Sequence, residues 1–186
     1  MRFNDHHNLT GRHAFLSASK STWIRYTFDK LDASWRSHRA AAEGSELHDI
    51  AATLIRKGIK LPKSSKTLNR YVNDAIGFKM QPEQILFATD FAFGTADAIG
   101  FNRNILRISD LKSGVTPAHM DQLRIYAAYF CMEYDINPMD ITIELRIYQN
   151  DQMIMEEASA PVILGIMDTT RVFSKRLEEH VMEELA

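Results

Sequence analysis

The hydrophobic and polar positions of this 186-residue chain follow two different periods. Over 40–57 the apolar residues recur every three or four positions, which is the period of an amphipathic α-helix. The mostly apolar or small runs 86–101 and 105–111 are typical of strands, and Asn102-Arg103-Asn104 between them favours a tight turn because Asn tolerates left-handed backbone angles. Apolar and polar residues then alternate over 141–149, which predicts a further strand.

The complete pattern predicts an α/β architecture. Helical patterns cover 19–41, 40–57, 66–76, 118–134 and 162–184, and strand patterns cover 86–101, 105–111, 141–149 and 153–156. Strands with helices on both sides form layered α/β folds, and an antiparallel hairpin among them makes the central sheet mixed. With 45% hydrophobic residues, the chain has the composition of an ordinary globular protein, so we expect one domain over 1–186.

The predicted hairpin collects charged residues. A turn centred on Arg103 and Asn104 places Asp97 opposite Asp110, with β-carbons about 5 Å apart. Lys112 lies two residues after Asp110, so it shares the face of the strand. Two adjacent carboxylates repel each other unless a counter-charge is present, and a divalent cation such as Mg²⁺ supplies one. The hairpin therefore predicts a metal-dependent hydrolytic site.

The backbone carbonyl of Leu111 lies between the two side chains of this motif and offers one more oxygen ligand. Lys112 is then placed to orient an attacking water or to neutralise the charge that develops on a phosphate. The alternative is that an Asp-x-Lys motif on a strand is a solvated surface pair, which is the commoner case for such a short motif standing alone.

Two further positions bear on this site. Gln122 and Tyr126 are four residues apart in a predicted helix and share one face of it. Tyr126 could instead pack with Phe130 in the core, which would leave Gln122 as an unexplained polar neighbour. His48 sits beside the apolar face of an earlier helix, where an isolated His is more often a core or boundary residue, although His is also a common metal ligand.

These motifs resemble a known nuclease superfamily. The order Gly-x-x-x-His48, Gly-x-x-Asp97, Asp110-x-Lys112, Gln122-x-x-x-Tyr126 is similar to the RecB-type branch of the PD-(D/E)XK nucleases, which includes the CRISPR-associated RecB-like exonucleases. The segment Leu16-Ser-Ala-Ser-Lys20, the Trp-containing helix after it and the strand at 141–149 also resemble a phage and prophage group of that branch. The resemblance covers roughly residues 15 to 150.

The resemblance implies a restriction-endonuclease-like core and a Mg²⁺- or Mn²⁺-dependent deoxyribonuclease. The expected activity is exonucleolytic hydrolysis of linear DNA in phage or prophage recombination or end processing. The implied metal ligands are His48, Asp97, Asp110 and the Leu111 carbonyl, the implied catalytic lysine is Lys112, and Gln122 and Tyr126 would orient that lysine or contact DNA. The implied partners are DNA and a single-strand annealing or other recombination protein, with the oligomeric state left open.

One position departs from the family pattern. Some members carry a Glu one helical turn after the His, where this chain has Ala52. The number of metal ions is therefore open. The same departure is the best argument for the alternative function, a catalytically weak or inactive DNA-binding or assembly module that retains the nuclease fold.

Charge and cysteine content restrict the functions that the sequence allows. The formal net charge of −2 gives no global attraction to nucleic acid, although the first forty residues are basic, with Lys20, Arg25, Lys30, Arg36 and Arg39. A local basic surface can bind phosphates, and a solvated helix face is an equal alternative.

The single cysteine, Cys131, cannot form an intramolecular disulfide or hold a four-cysteine iron–sulfur cluster, and is expected to be a small buried hydrophobe. Without a long apolar stretch or secretory signal, we expect a cytoplasmic protein that is not bound to a membrane.

Overall fold

A computed structural model of the chain describes residues 14–114 and 118–184. The chain divides into two compact units, with the boundary between Ser45 and Glu46. In the first unit, Phe15 packs edge-on against Trp35, with ring centres 5.0 Å apart. No helix in the two described segments has the length and apolar character needed to cross a membrane.

The first helices differ from the sequence prediction. Helix patterns at 19–41 and 40–57 predict two helices, whereas the chain forms a short 3₁₀ helix at Ala18–Arg25 and one continuous helix, α1, at Phe28–Lys57. Gly44 lies inside α1 and does not end it, because one helical glycine costs only about 1 kcal/mol relative to alanine. The side chain of Lys20 lies outside the described residues, and the other four basic residues named for the first forty positions belong to the first unit.

The second unit is built around a five-stranded mixed sheet. The strands are β1 (Gln81–Thr89), β2 (Ala92–Asn102), β3 (Ile105–Leu111), β4 (Thr142–Gln149) and β5 (Gln152–Glu157), and the helices are α2 (Thr67–Gly77), α3 (Asp121–Glu133) and α4 (Ala160–Glu184). The strands are ordered β1-β2-β3-β4-β5; β3 and β4 are parallel and the other neighbours antiparallel. The predicted mixed α/β sheet flanked by helices is therefore confirmed.

The run 86–101 was expected to be one strand, and this expectation is wrong. The chain turns at Asp90 and Phe91, so that β1 and β2 form an antiparallel hairpin. Apolar residues continue on both sides of the turn, and Asp90 alone is a weak turn signal. This missed hairpin hides a residue of the candidate site, as described below.

The hairpin of β2 and β3 has the predicted register. Arg103 and Asn104 have φ angles of 52° and 58°, which is the left-handed conformation that a two-residue hairpin turn requires at both positions. Asn102 pairs with Ile105, and the ladder continues to Ala98 opposite Ser109. The next residues on the two strands are Asp97 and Asp110, which the turn therefore brings together.

Two cores lie on the two faces of the sheet. One packs α3 and α4 against the sheet and contains Leu106, Ile108, Leu123, Ile143 and Ile163; the other packs α2 and the end of α1 and contains Ile55, Tyr71, Val72, Leu111 and Tyr148. Cys131 belongs to the first core, as expected for a small buried hydrophobe. Burial raises the pKa of its thiol to about 11.

Candidate metal centre

Asp97 and Asp110 approach each other where the β2–β3 ladder ends. Beyond Ala98 and Ser109, the backbone pairing is replaced by a side-chain contact. The backbone N–H of Leu111 donates to Oδ2 of Asp97 over 2.9 Å. The Asp97 carboxylate is thereby fixed beside the strand that carries Asp110.

His48 reaches the same carboxylate from α1. Its Nδ1 lies 3.4 Å from Oδ2 of Asp97, and the imidazole is largely shielded from solvent. The hydrogen bond to Asp97 is the main reason why the pKa of His48 is raised, against burial, which favours the neutral form. The Leu111 backbone, which lies beside His48, also raises the pKa of its imidazole.

Glu83 is a member of the site that the sequence analysis missed. It lies on β1 between the pairs Pro82–Ala98 and Gln84–Ala96, which places it opposite Asp97. One ligand atom each from His48, Glu83 and Asp97 all lie within 4.8 Å of one another, close enough to share a metal ion. Glu83 could have been found only by recognising β1, since nothing in its local sequence marks it.

The backbone at Glu83 is also unusual. Its φ of 52° is in the left-handed region, which non-glycine residues rarely adopt. Such strain persists only where the surrounding structure holds it, and it is concentrated at functional sites. Burial, followed by the negative charge of Asp97, raises the pKa of Glu83.

Asp110 is the most buried acid of the site, with 2% of its surface exposed. Its Oδ1 accepts a hydrogen bond of 3.0 Å from Nζ of Lys112, whereas its buried Oδ2 has no hydrogen-bond partner. Burial is the largest cause of its raised pKa, the charge of Asp97 adds to it, and Lys112 opposes it. Asp110 lies next to the three-residue group rather than within it, so the group differs in this respect from the predicted ligand set.

Lys112, Gln122 and Tyr126 form a hydrogen-bonded chain that leads away from Asp110. Lys112 Nζ donates to Oε1 of Gln122 over 3.1 Å, and Nε2 of Gln122 donates to the Tyr126 hydroxyl over 3.3 Å. The ring of Tyr126 packs against Gly94, where an added β-carbon would lie 3.0 Å from Cε1 of the ring. Tyr126 thus packs against the core and also hydrogen-bonds to Gln122. Both roles considered for it, a core residue and a neighbour of the site, are therefore present.

The acid cluster, as we call His48, Glu83, Asp97, Asp110 and Lys112, has the chemistry of a divalent-cation site. Its three carboxylates face one lysine and one histidine, which leaves an excess of negative charge if His48 is neutral. Oxygen donors suit Mg²⁺ and Mn²⁺, and imidazole is accepted by transition metals. The buried Oδ2 of Asp110 is an acceptor that a cation would satisfy. The residues present therefore fit a bound divalent cation.

Ala52, where some members of the nuclease branch that the sequence resembles carry a Glu, is buried. Glu83 brings a third carboxylate from β1 instead. Comparison of this chain with protein-family models, curated proteins and solved structures found no match in any of the three. The arguments for function therefore depend on the geometry and chemistry of the site.

Proposed function

We propose that this protein is a divalent-metal-dependent deoxyribonuclease of the RecB-like PD-(D/E)XK type, with a restriction-endonuclease-like core, which degrades linear DNA from its ends. The observation that carries the proposal is the buried Asp110, which is bonded to Lys112 on one oxygen and has no partner on the other, while Asp97 accepts from the backbone of the next residue, Leu111. A structural ion pair has no need of a second and third carboxylate, which raise the cost of burying the first. A hydrolytic metal site requires them.

The chain's own side chains have separate tasks in this proposal. His48, Glu83, Asp97 and the free oxygen of Asp110 would hold Mg²⁺ or Mn²⁺, together with the Leu111 carbonyl. The bound cation would supply Lewis acidity toward the scissile phosphate and lower the pKa of a water molecule. Lys112, held by Asp110 and Gln122, presents a fixed ammonium to the phosphate, where negative charge builds up during hydrolysis.

The face of the β1–β2 hairpin supports a polynucleotide as the substrate. Leu86 and Gly94 face α3, so that Ile85, Phe87 and Phe93 point to the opposite, solvent-facing side. His48 reaches Asp97 from that same side of the sheet. Phe87 and Phe93 are 46% and 62% exposed, and their rings stack at 19° with centres 6.4 Å apart.

This aromatic pair lies at a useful distance from the acids. Phe93 is four residues from Asp97, or about 13 Å along the strand. Exposed aromatic rings stack on unpaired bases without regard to sequence. A strand whose phosphate occupied the acid cluster could therefore place a neighbouring base on the Phe87–Phe93 pair, whereas a small phosphodiester could not reach it.

The alternative function, a DNA-binding or assembly module without catalysis, drew its support from Ala52. Because Glu83 contributes a carboxylate from another element, the alanine no longer implies a shortage of acidic ligands. The alternative therefore becomes an outcome of the experiment that tests the proposal.

The direct test incubates the purified protein with matched linear and covalently closed circular DNA, in Mg²⁺ or Mn²⁺ and in EDTA. We expect progressive loss of the linear DNA, resistance of the circle and no reaction in EDTA. Fixed-size fragments from the circle would indicate a site-specific endonuclease. DNA binding without cleavage in either metal would favour the non-catalytic module.

A second test addresses the substrate class. Replacing Phe87 and Phe93 by Ala should lower kcat/KM on DNA by roughly tenfold, on the scale of one lost base stack. The same variant should hydrolyse bis(p-nitrophenyl) phosphate at the wild-type rate, because this small diester touches only the acid cluster. Equal losses on both substrates would mean that the aromatic pair supports the fold of the site rather than the DNA strand.

A further inference from the structure

The C-terminal half of α4 has an unpartnered apolar stripe. The residues of α4 that the sheet buries are Ile163, Met167 and Ser174, and every described residue after Ser174 is exposed. An isolated helix of about ten residues is marginal in water, so this segment is helical without the packing that usually stabilises one. We therefore expect this segment to pack against a partner.

The stripe consists of Phe173, Leu177 and Val181, which are four residues apart and lie along one side of the helix. Phe173 is 65% exposed, and Leu177 and Val181 are each 43% exposed. The stripe continues into an apolar groove of about 700 Å³, whose walls are α4, α3 and the β1–β2 turn. Exposed apolar surface that is contiguous in this way marks an interaction site.

The charges around the stripe favour a second copy of the same helix as the partner. Before Leu177 stand Arg171, Lys175 and Arg176, and after it stand Glu178, Glu179, Glu183 and Glu184. Two copies of this segment packed in parallel would set basic against basic and acidic against acidic. Packed antiparallel about Leu177, they set the basic half of each helix against the acidic half of the other.

The same geometry aligns the apolar residues. A twofold axis beside Leu177 brings the two Leu177 side chains together and places Phe173 of each copy opposite Val181 of the other. An interface of this kind is self-complementary and closes after two subunits. It also covers the part of the groove lined by Phe173 and Leu177.

Ion pairs within the helix do not oppose this arrangement. Arg171 bonds to Asp168 and Arg176 to Glu179, each over 3.0 Å and each between exposed side chains. Exposed pairs of this kind contribute little to stability, so their partners are free to turn toward a second helix. Arg176 flanks the stripe and Glu179 lies on the side of the helix away from it, so their ion pair does not occupy the apolar contact.

We propose that the protein forms a twofold dimer through antiparallel pairing of the α4 segments 171–184. The occupant of the stripe is a second copy of the same chain. The dimer depends only on α4 and its groove, and it is independent of the proposed nuclease activity.

Sedimentation equilibrium of the full chain is the first test. We expect the mass to rise from 21.3 kDa towards twice that value as concentration increases. Leu177→Glu places two like charges beside the axis and should give a monomer at every concentration. Met182→Glu introduces the same charge at an exposed apolar residue on another side of the helix, and it should sediment like the wild type. A wild-type protein that stays monomeric overturns the proposal, as does equal disruption by both variants.

Charge reversal tests the antiparallel direction. Replacing Arg171, Lys175 and Arg176 by Glu, or Glu178, Glu179 and Glu183 by Lys, should each weaken association because like-charged halves then face each other. The variant with both sets of changes should restore most of the association, and its failure to do so would rule out this pairing. Circular dichroism of each variant separates a loss of association from a loss of helix.

A cysteine cross-link locates the axis. Leu177→Cys should form an intermolecular disulfide under mild oxidation, because each residue meets its own copy at the twofold axis. Met182→Cys should not, and the native Cys131 is buried and does not interfere. A Met182→Cys protein that cross-links as fast as Leu177→Cys would place the interface elsewhere.

Discussion

Two charged clusters lie on the same sheet, and only one of them is complete. In the arginine cluster, Glu144 accepts hydrogen bonds from Arg107 over 2.8 and 3.1 Å and from Arg146 over 2.9 Å. Both guanidinium groups also lie over the ring of Phe78, at 4.6 and 4.4 Å. Each oxygen of the acid is therefore satisfied, and the ring covers the positive charge.

The acid cluster is organised differently. Three carboxylates share one lysine and one histidine, and Oδ2 of Asp110 has no partner. The arginine cluster also has an unpartnered atom, Nε of Arg146, but this is one donor of a group whose other contacts are made. One unpartnered oxygen of a buried carboxylate costs more free energy than one unpartnered N–H of a guanidinium group that keeps its other contacts. The comparison indicates that the arginine cluster stabilises the fold, whereas the acid cluster has the donor set of a cation site.

The largest expected effect separates the two clusters by activity. Asp97→Ala and Lys112→Ala should each reduce Mg²⁺-dependent cleavage of linear DNA by roughly a thousandfold, the scale of removing a charge stabiliser of the transition state. Both variants should remain folded by circular dichroism. Glu144→Gln is the matched control in the other cluster and should cleave at nearly the wild-type rate. Substantial cleavage by Lys112→Ala would refute the catalytic assignment.

For stability, substitution in the arginine cluster should have the larger effect. Glu144→Gln removes the anion between Arg107 and Arg146 and should destabilise the protein by about 2 kcal/mol, less than a fully buried pair because these side chains keep some solvent contact. In a protein of this size, that corresponds to a fall in Tm of about 4–8 °C. An unchanged Tm, measured by calorimetry in EDTA, would show that the arginine cluster is not structural.

The third prediction concerns the hydrogen-bonded chain behind Lys112. Gln122→Ala should lower the cleavage rate by roughly tenfold, because Lys112 loses the acceptor that positions it. Gln122 is exposed, so Tm should change little. A large fall in Tm with normal specific activity would instead assign Gln122 and Tyr126 to the core.

The smallest effect is a gain in stability. Asp110→Asn removes a buried carboxylate whose pKa is raised mainly by burial, and in EDTA it should increase Tm by about 2–4 °C, equivalent to about 1 kcal/mol. The same variant should lose the increase in Tm that Mn²⁺ gives the wild type. A lower Tm in EDTA would mean that Asp110 is a structural residue.

The gain should depend on pH in a defined direction. Because the pKa of Asp110 is higher in the folded than in the unfolded state, the ionised carboxylate destabilises the fold above the folded pKa. This cost disappears as pH falls below the unfolded pKa, near 3.9. The Tm advantage of Asp110→Asn should therefore be largest near neutral pH and shrink toward pH 4, as measured in a titration of both proteins side by side.

Local chemistry in the sequence determined part of this site. The Asn-containing turn at 102–104 set the register of β2 and β3, and the period of a strand placed Asp97, Asp110 and Lys112 near one another. The period of a helix likewise placed Gln122 and Tyr126 on one face, where their side chains are hydrogen-bonded. These relations depend on neighbouring residues and on backbone geometry that repeats, so they can be inferred without the rest of the fold.

The tertiary structure alone decided the remainder. Glu83 joins the site only because β1 pairs with β2. His48, which the resemblance had named, reaches Asp97 only because α1 brings it there from 49 positions earlier in the chain. The unpartnered oxygen of Asp110 arises from desolvation, which depends on everything packed around it. Turn chemistry and period act over a few residues, whereas burial and long-range pairing are properties of the whole packed unit, and for this reason the sequence predicted the hairpin but not the third carboxylate.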